Sequence, residues 1–168
     1  VVFNSLSFER NDAVKVPSSG YEGVTAFKSA SGELYPVQRT VEGGLLFAGA
    51  PVPAKGYAVL SPVKEPLSPE NGVTIQSLNE IETPYYKIKL NNLGQFVSIF
   101  DKDAKREVLR EGGLGNVLRV YEDKPIYYDN WDIDIYYTQK SWVVDGLKSA
   151  EWIENGPVRI VLRLTYRF

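Results

Sequence analysis

Carboxylate and aromatic side chains are interleaved within one short stretch of the sequence. The carboxylates are Glu122, Asp123, Asp129, Asp132 and Asp134, and the aromatic residues among them are Tyr127, Tyr128 and Trp131. Carboxylates accept hydrogen bonds from sugar hydroxyl groups, and an aromatic ring can cover the apolar C–H face of a pyranose. The stretch therefore indicates a loop that contacts carbohydrate.

Trp131, together with Asp129 or Asp132, is the candidate for direct contact with a saccharide. In this interpretation the indole projects from the fold towards a site that other parts of a protein complete, and it is exposed in the chain alone. Ile133 and Ile135 are then expected to point into the fold and to be buried. The competing interpretation is that Trp131 caps a core and that the aspartates fix turns through side-chain-to-backbone hydrogen bonds.

The same carboxylates are open to two further chemistries. Asp129 and Asp132 would serve as acid and nucleophile of a retaining glycosidase if their carboxyl groups lay about 5–5.5 Å apart across a pocket. Calcium also takes carboxylate oxygens as ligands, although the spacing here does not fit an EF-hand loop. Acidic loops are more often simply solvated, so both chemistries are secondary hypotheses.

The composition excludes several classes of site. The 168 residues include no histidine and no cysteine, which rules out serine–histidine and cysteine–histidine nucleophiles and any histidine-containing zinc site within the chain. The net charge of −2 supplies no long-range field for nucleic acid, and no stretch approaches the about 20 apolar residues of a membrane helix. Neither nucleic acid nor a membrane is an expected partner, and the compartment stays open.

Alternation of apolar and polar residues is the main local signal. It is clearest over 158–168, where apolar residues take one side of a strand and arginines the other, and residues 86–90 and 95–100 flank a turn as a hairpin would. Further strands are predicted at 1–8, 13–16, 24–28, 34–40, 44–47, 57–61, 73–78, 116–121, 133–137 and 142–147. Only 104–110 could form a helical turn, or equally a strand, and Trp142 is expected to be buried. The pattern predicts an all-β, antiparallel β-sandwich fold.

A stretch rich in proline and polar residues, 61–71, favours an extended connector. We therefore predict a small β-sandwich over residues 1–66 and the first part of a larger β-sandwich domain over 72–168. Because the last strand pattern runs to Phe168, we expect a fragment of a longer protein. Alternatively, a homodimer formed through exposed strands would bury the apolar face of this last strand.

Several segments of the second half occur in a specific order. Residues 79–91 and 94–102 are followed by 106–109 and 115–116, and then by the acidic stretches 121–125 and 128–133. Together they resemble the C-terminal domain of family 38 α-mannosidases of the bacterial and vacuolar type, including its acidic, tryptophan-containing loop. Residues 1–10 resemble the strand that leaves the family's helical domain, so the resemblance extends over essentially the whole chain.

The resemblance implies the non-catalytic β-sandwich portion of a retaining exo-α-mannosidase, in which a small sandwich precedes the start of a galactose-mutarotase-like supersandwich. Family members hold zinc through His and Asp in an N-terminal α/β domain that also supplies the aspartate nucleophile. That domain is not among these 168 residues, so the resemblance implies that the chain itself has no catalytic residue, metal ligand or cofactor. The expected partners are the rest of the parent enzyme and mannose-containing glycans.

Two other classes of protein remain open at this point. A free-standing carbohydrate-binding module would also use an aromatic and acidic loop. A purely structural sandwich would use none of these side chains for binding.

Overall fold

The computed structural model describes residues 1–65, 74–75, 77–128 and 130–168. The strands are β1 (Val2–Phe3), β2 (Val14–Pro17), β3 (Ala26–Lys28), β4 (Leu34–Pro36), β5 (Gln38–Arg39), β6 (Gly44–Phe47), β7 (Tyr57–Ala58), β8 (Ser61–Val63), β9 (Thr74–Ile75), β10 (Glu80–Glu82), β11 (Tyr86–Leu90), β12 (Phe96–Asp101), β13 (Arg106–Glu107), β14 (Arg119–Tyr121), β15 (Ser141–Val143), β16 (Gly146–Asn155) and β17 (Ile160–Arg167). A 3-10 helix occupies Ile135–Gln139. In these ranges no helix is long and apolar enough to cross a membrane.

The predicted all-β, antiparallel fold is confirmed by the strand pairs. Contacts group the chain into two compact units, residues 1–71 with 152–162, and residues 72–151 with 163–168. The division into domains 1–66 and 72–168 stays a prediction, since most of the connector lies outside the described residues.

An aromatic core holds the first unit together. β1 pairs with β7, β6 lies between β2 and β5, and β3 lies between β4 and β8. The buried cluster comprises Phe27, Tyr35, Phe47 and Ala50, and the rings of Phe27 and Phe47 lie 4.8 Å apart. Every residue of β6 is buried, as expected for a central strand with a continuous apolar run.

Hydrogen bonds to a buried carboxylate join residues 152–162 to the rest of the first unit. The Glu154 side chain is 3% exposed, and it accepts hydrogen bonds from Arg159 Nε and Nη2, both at 2.8 Å, from Gln38 Nε2 at 2.9 Å and from the Val41 amide at 2.9 Å. The paired Arg159 guanidinium is the main reason that the pKa of Glu154 falls from 4.5 to about 2, and the Val41 and Gln38 donors act in the same direction against desolvation.

The turn between β16 and β17 fits closely against Gln38. The Gln38 Oε1 atom accepts hydrogen bonds from the amides of Val158 at 3.1 Å and Arg159 at 3.0 Å. A Cβ atom added to Gly156 would lie 2.3 Å from Gln38 Cδ, so the turn has no room for a larger residue. Both polar groups of the buried Gln38 amide are thus satisfied, as buried polar groups require.

The second unit contains a five-stranded sheet in the order β13-β12-β11-β10-β9. Its register places Ile81 opposite Ile88 and Ile88 opposite Ile99, which makes an apolar row on one face. Alternation then puts Lys87 and Lys89 on the other face, where they face Glu82 and Glu80 across the strands. The predicted hairpin over 86–100 is confirmed by β11 and β12.

The strand pattern at the end of the chain is also confirmed. β17 pairs with β16, its arginines are exposed and its alternate apolar side chains are half-buried. The predicted strand at 142–147 is instead two strands, because β15 ends at Val143 and β16 begins at Gly146.

The expected burial of Trp142 is wrong. Its side chain is exposed, with the Lys140 ammonium 5.0 Å from the ring centroid and the Phe168 ring 6.5 Å away. Trp142 lies on a two-stranded hairpin, and a cation and a second ring cover it only in part.

Replacing Glu154 by Ala should lower the free energy of unfolding by about 2–3 kcal/mol, because the buried Gln38 amide and the Val41 N–H lose their acceptor. Urea denaturation measures this. The matched control is Glu151→Ala, which removes an exposed carboxylate of the same strand that lies 3.7 Å from Arg163 and should leave the midpoint unchanged. Equal effects of the two changes would contradict the role of Glu154.

The stability of the chain should depend on the protonation of Glu154. Folding lowers the pKa of Glu154 from 4.5 to about 2. The stabilisation by the ionised carboxylate is therefore present above the pKa of the unfolded chain, 4.5, and is lost as the pH falls towards the pKa of the folded chain, about 2. We therefore expect the difference in unfolding free energy between the wild type and Glu154→Gln to become smaller as the pH is lowered from 4.5 to about 2. Urea denaturation curves recorded at a series of pH values measure this difference. The other carboxylates are present in both proteins, so their contributions cancel in this difference. A difference in unfolding free energy that does not change with pH would refute the dependence of stability on Glu154.

Candidate functional site

The interleaved stretch forms the connection of a hairpin in the second unit. β14 pairs with β15, with Tyr121 opposite Ser141, and we call the connecting residues 122–140 the aromatic loop. At its base the Glu122 amide donates to the Lys140 carbonyl at 3.0 Å. The hydrogen bond from the Lys140 ammonium, followed by that from Lys124, lowers the pKa of the Glu122 carboxyl. A connection of this length in a compact unit is commonly functional.

A second hydrogen bond joins the two sides of the loop nearer its tip. The Ile126 amide donates to Asp134 Oδ2 at 2.8 Å. Between these residues the Tyr128 carbonyl accepts hydrogen bonds from the amides of Trp131 at 2.7 Å and Asp132 at 3.2 Å. Tyr128 has φ +59°, in the left-handed region that non-glycine residues rarely occupy. The described residues on either side of Asp129 are therefore joined by backbone hydrogen bonds and by the bond to the Asp134 carboxylate.

The predicted strand at 133–137 is wrong, and so is the expected burial of its isoleucines. Ile133 is 65% exposed and Ile135 is 74% exposed. Asp134 bonds back to Ile126 and its carbonyl accepts from the Tyr137 amide at 3.2 Å, which starts the 3-10 helix and ends the alternation of a strand. The Tyr137 ring of this helix packs against Tyr121 at 5.4 Å.

Trp131 lies at the bent tip and is 90% exposed. This agrees with the expectation of a projecting indole, whereas its contact with a saccharide stays a prediction. Asp132 is exposed as well, and its Oδ1 accepts a hydrogen bond from the Ile133 amide at 2.9 Å. Asp129 lies outside the described residues, so the structure assigns no separation between the carboxylates of Asp129 and Asp132.

Exposed apolar surface is the feature of the loop that the sequence interpretation missed. The exposed large side chains are Ile126, Tyr127, Tyr128, Trp131, Ile133, Ile135 and Tyr136. Contiguous apolar surface of this kind marks contacts with another molecule or domain. The only signal in the sequence was that apolar residues persist through a long connection without a partner strand.

The described residues of the aromatic loop offer groups that can bind and orient a ligand. Its aromatic rings offer stacking surfaces, and its carboxylates offer hydrogen-bond acceptors. Within the described residues, no three acidic side chains come together in an arrangement that would hold a metal ion. The geometry therefore fits a contact surface better than a self-contained reaction centre.

Comparisons with known proteins place this loop in a matched region. The model of the Glycosyl hydrolases family 38 C-terminal domain matches residues 81–168. Alpha-mannosidase G of Dictyostelium discoideum is 24% identical over 180 residues, which cover 99% of this chain and 16% of that protein. Alpha-mannosidase 2C1 of Homo sapiens is 29% identical over 94 residues, which cover 52% of this chain and 9% of that protein. The chain thus spans a small part of the length of these relatives.

Proposed function

Because the match over residues 81–168 shows that the chain belongs to glycoside hydrolase family 38 through its C-terminal domain, we propose that it is the non-catalytic β-sandwich portion of a retaining exo-α-mannosidase. In this proposal the parent enzyme hydrolyses terminal α-mannosides. The present chain supports the catalytic domain, and the aromatic loop lines the substrate site. Two relatives that are named alpha-mannosidases, one matched over 99% of this chain and the other over 52%, support the assignment.

The observation that carries the proposal is the exposure of Trp131, whose backbone amide donates to the Tyr128 carbonyl. An exposed indole has no stabilising role within the unit that presents it, since it buries almost no area there. Its backbone amide nevertheless donates to the Tyr128 carbonyl, and the bond from the Ile126 amide to Asp134 joins the two sides of the loop nearby. An uncovered side chain on a hydrogen-bonded backbone is suited to contact with a partner, because less backbone entropy remains to be lost on binding.

Each residue of the tip has a proposed role. The Trp131 ring covers the apolar face of a mannose residue, while Asp132 and Asp129 accept hydrogen bonds from sugar hydroxyl groups. The bond from the Ile133 amide to Asp132 Oδ1 orients that carboxylate. The zinc ion, its His and Asp ligands and the aspartate nucleophile belong, in this proposal, to the catalytic domain of the longer polypeptide.

A free-standing carbohydrate-binding module is the second candidate, because the exposed loop alone would present an aromatic platform. The two candidates differ in what the isolated chain binds. Titration with mannose-containing glycans should show no measurable binding if the site needs the catalytic domain, and at least millimolar binding if the chain is a module.

The isolated 168-residue chain should neither hydrolyse an aryl α-mannoside nor bind zinc stoichiometrically, whereas the full-length polypeptide should do both. The chain has no histidine and no cysteine to supply a base or a nitrogen or thiolate ligand. Metal-supplemented turnover assays and metal analysis of both forms measure this. Turnover by the isolated chain, or an inactive full-length polypeptide, would refute the proposal.

Trp131→Ala in the full-length enzyme should reduce kcat/KM tenfold to a hundredfold, about 1.4–2.8 kcal/mol of transition-state binding, with an unchanged melting temperature. The control Tyr85→Ala removes another exposed aromatic side chain of the same unit, outside the loop, and should leave both quantities unchanged. An unaltered kcat/KM in Trp131→Ala would retire the substrate-site role.

A further inference from the structure

In the first unit, the ribbon formed by β1 and β7 is apolar on both sides. Val2 and Leu60 face inwards and pack against the core cluster. On the outer side Phe3 lies opposite Tyr57, and these side chains are 77% and 60% exposed. Strands that are apolar on both sides are typical of sheets covered on both faces.

We call Val1, Phe3, Tyr57 and Val59 the outer patch. All four are exposed, and alternation places Val1 and Val59 on the same side of the ribbon as Phe3 and Tyr57. No charged side chain is among them. The rings of Phe3 and Tyr57 lie 5.8 Å apart and tilted by 49°, so the centre of the patch is a packed aromatic pair.

Hydrogen bonds hold the backbone of the two strands that carry the outer patch. Asn4, directly after Phe3, is buried, and its amide nitrogen donates to the carbonyls of Phe8 at 2.7 Å and of Val52 and Pro53 at 3.1 Å. The Asn4 backbone amide donates to the Gly56 carbonyl at 2.9 Å, next to Tyr57. These bonds fix both strands, so the aromatic pair is held in place without a covering layer.

We propose that the outer patch is an interface with another domain of the same polypeptide, which presents an uncharged apolar surface to Phe3 and Tyr57. The inference rests on the proposed function only in taking the chain to be part of a longer polypeptide. The Dictyostelium relative supports that premise, because a match over 99% of this chain covers 16% of that protein.

The size of the patch favours a tethered domain over a second copy of the chain. Two partly exposed aromatic rings and two valines offer on the order of 400 Å². A stable dimer buries about 800 Å² on each partner. A covalently linked domain needs far less contact area, because the linker supplies a high effective concentration.

Hydroxyl-radical footprinting of the isolated chain and of the full-length polypeptide tests the proposal. Phe3 and Tyr57 should be modified at least fivefold more slowly in the full-length polypeptide. Val41, an exposed side chain of the same unit, is the internal control and should react equally in both. In the full-length polypeptide, Phe3→Ser should lower the melting temperature and raise the modification of Tyr57, whereas Val41→Ser should change neither.

Two results would overturn the inference. The first is equal modification of Phe3 and Tyr57 in both forms. The second is protection in the isolated chain that rises with protein concentration and is lost in Phe3→Ser, which would identify a second copy as the partner. A protected patch in a full-length polypeptide without α-mannosidase activity would refute the proposed function and leave the interface intact.

Discussion

The buried carboxylate of Glu154 is the contact on which the first unit depends. It joins residues 116 positions apart, since Gln38 Nε2 donates to Glu154, and an ionised carboxylate away from water is stable only with its donors in place. The hairpin that carries Glu154 lies within the family-matched residues 81–168, yet 152–162 belong to the first unit. The matched region and the compact units therefore do not coincide, and a cut at the proline-rich connector would remove part of the first unit.

Local patterns predicted the strands well where one face is apolar. The β11–β12 hairpin and β17 follow from alternation and turn residues. β6 follows instead from a short continuous apolar run. The Glu154 network was not predictable in the same way, because Gln38 and Glu154 are unremarkable in their own segments and meet only through tertiary structure. Ile133 and Ile135 alternate like strand residues, but Asp134 bonds back to Ile126 and a 3-10 helix follows. In this loop a side-chain hydrogen bond overrides the local period, whereas the Glu154 network leaves its strands intact and depends on a long-range contact.

The two exposed apolar surfaces share a structural principle. In each, a hydrogen-bonded polar side chain holds the backbone next to uncovered aromatic rings. Asn4 does so directly after Phe3, and Asp134 does so in the loop that carries Trp131. Apolar surface left in water is unfavourable for solubility and gives the unit that carries it no stability. In the proposals made above, both surfaces are covered by other parts of a longer polypeptide. The sequence pattern singled out the aromatic loop for its carboxylates and rings, but it indicated neither exposed apolar surface.

The residues available in the chain limit the kind of contribution it can make to catalysis. The chain has no histidine or cysteine, and the groups that the aromatic loop offers are rings, amides and carboxylates, which are suited to binding and orienting a ligand. Binding energy from such remote groups accelerates a reaction only if it is realised more fully in the transition state than in the ground state. In the proposed role of Trp131, a backbone held by hydrogen bonds meets this condition better than an unrestrained one, because it limits the positions that the indole can take. The hydrogen bonds to the Tyr128 carbonyl and to Asp134 therefore matter as much to the proposed role of Trp131 as the ring itself.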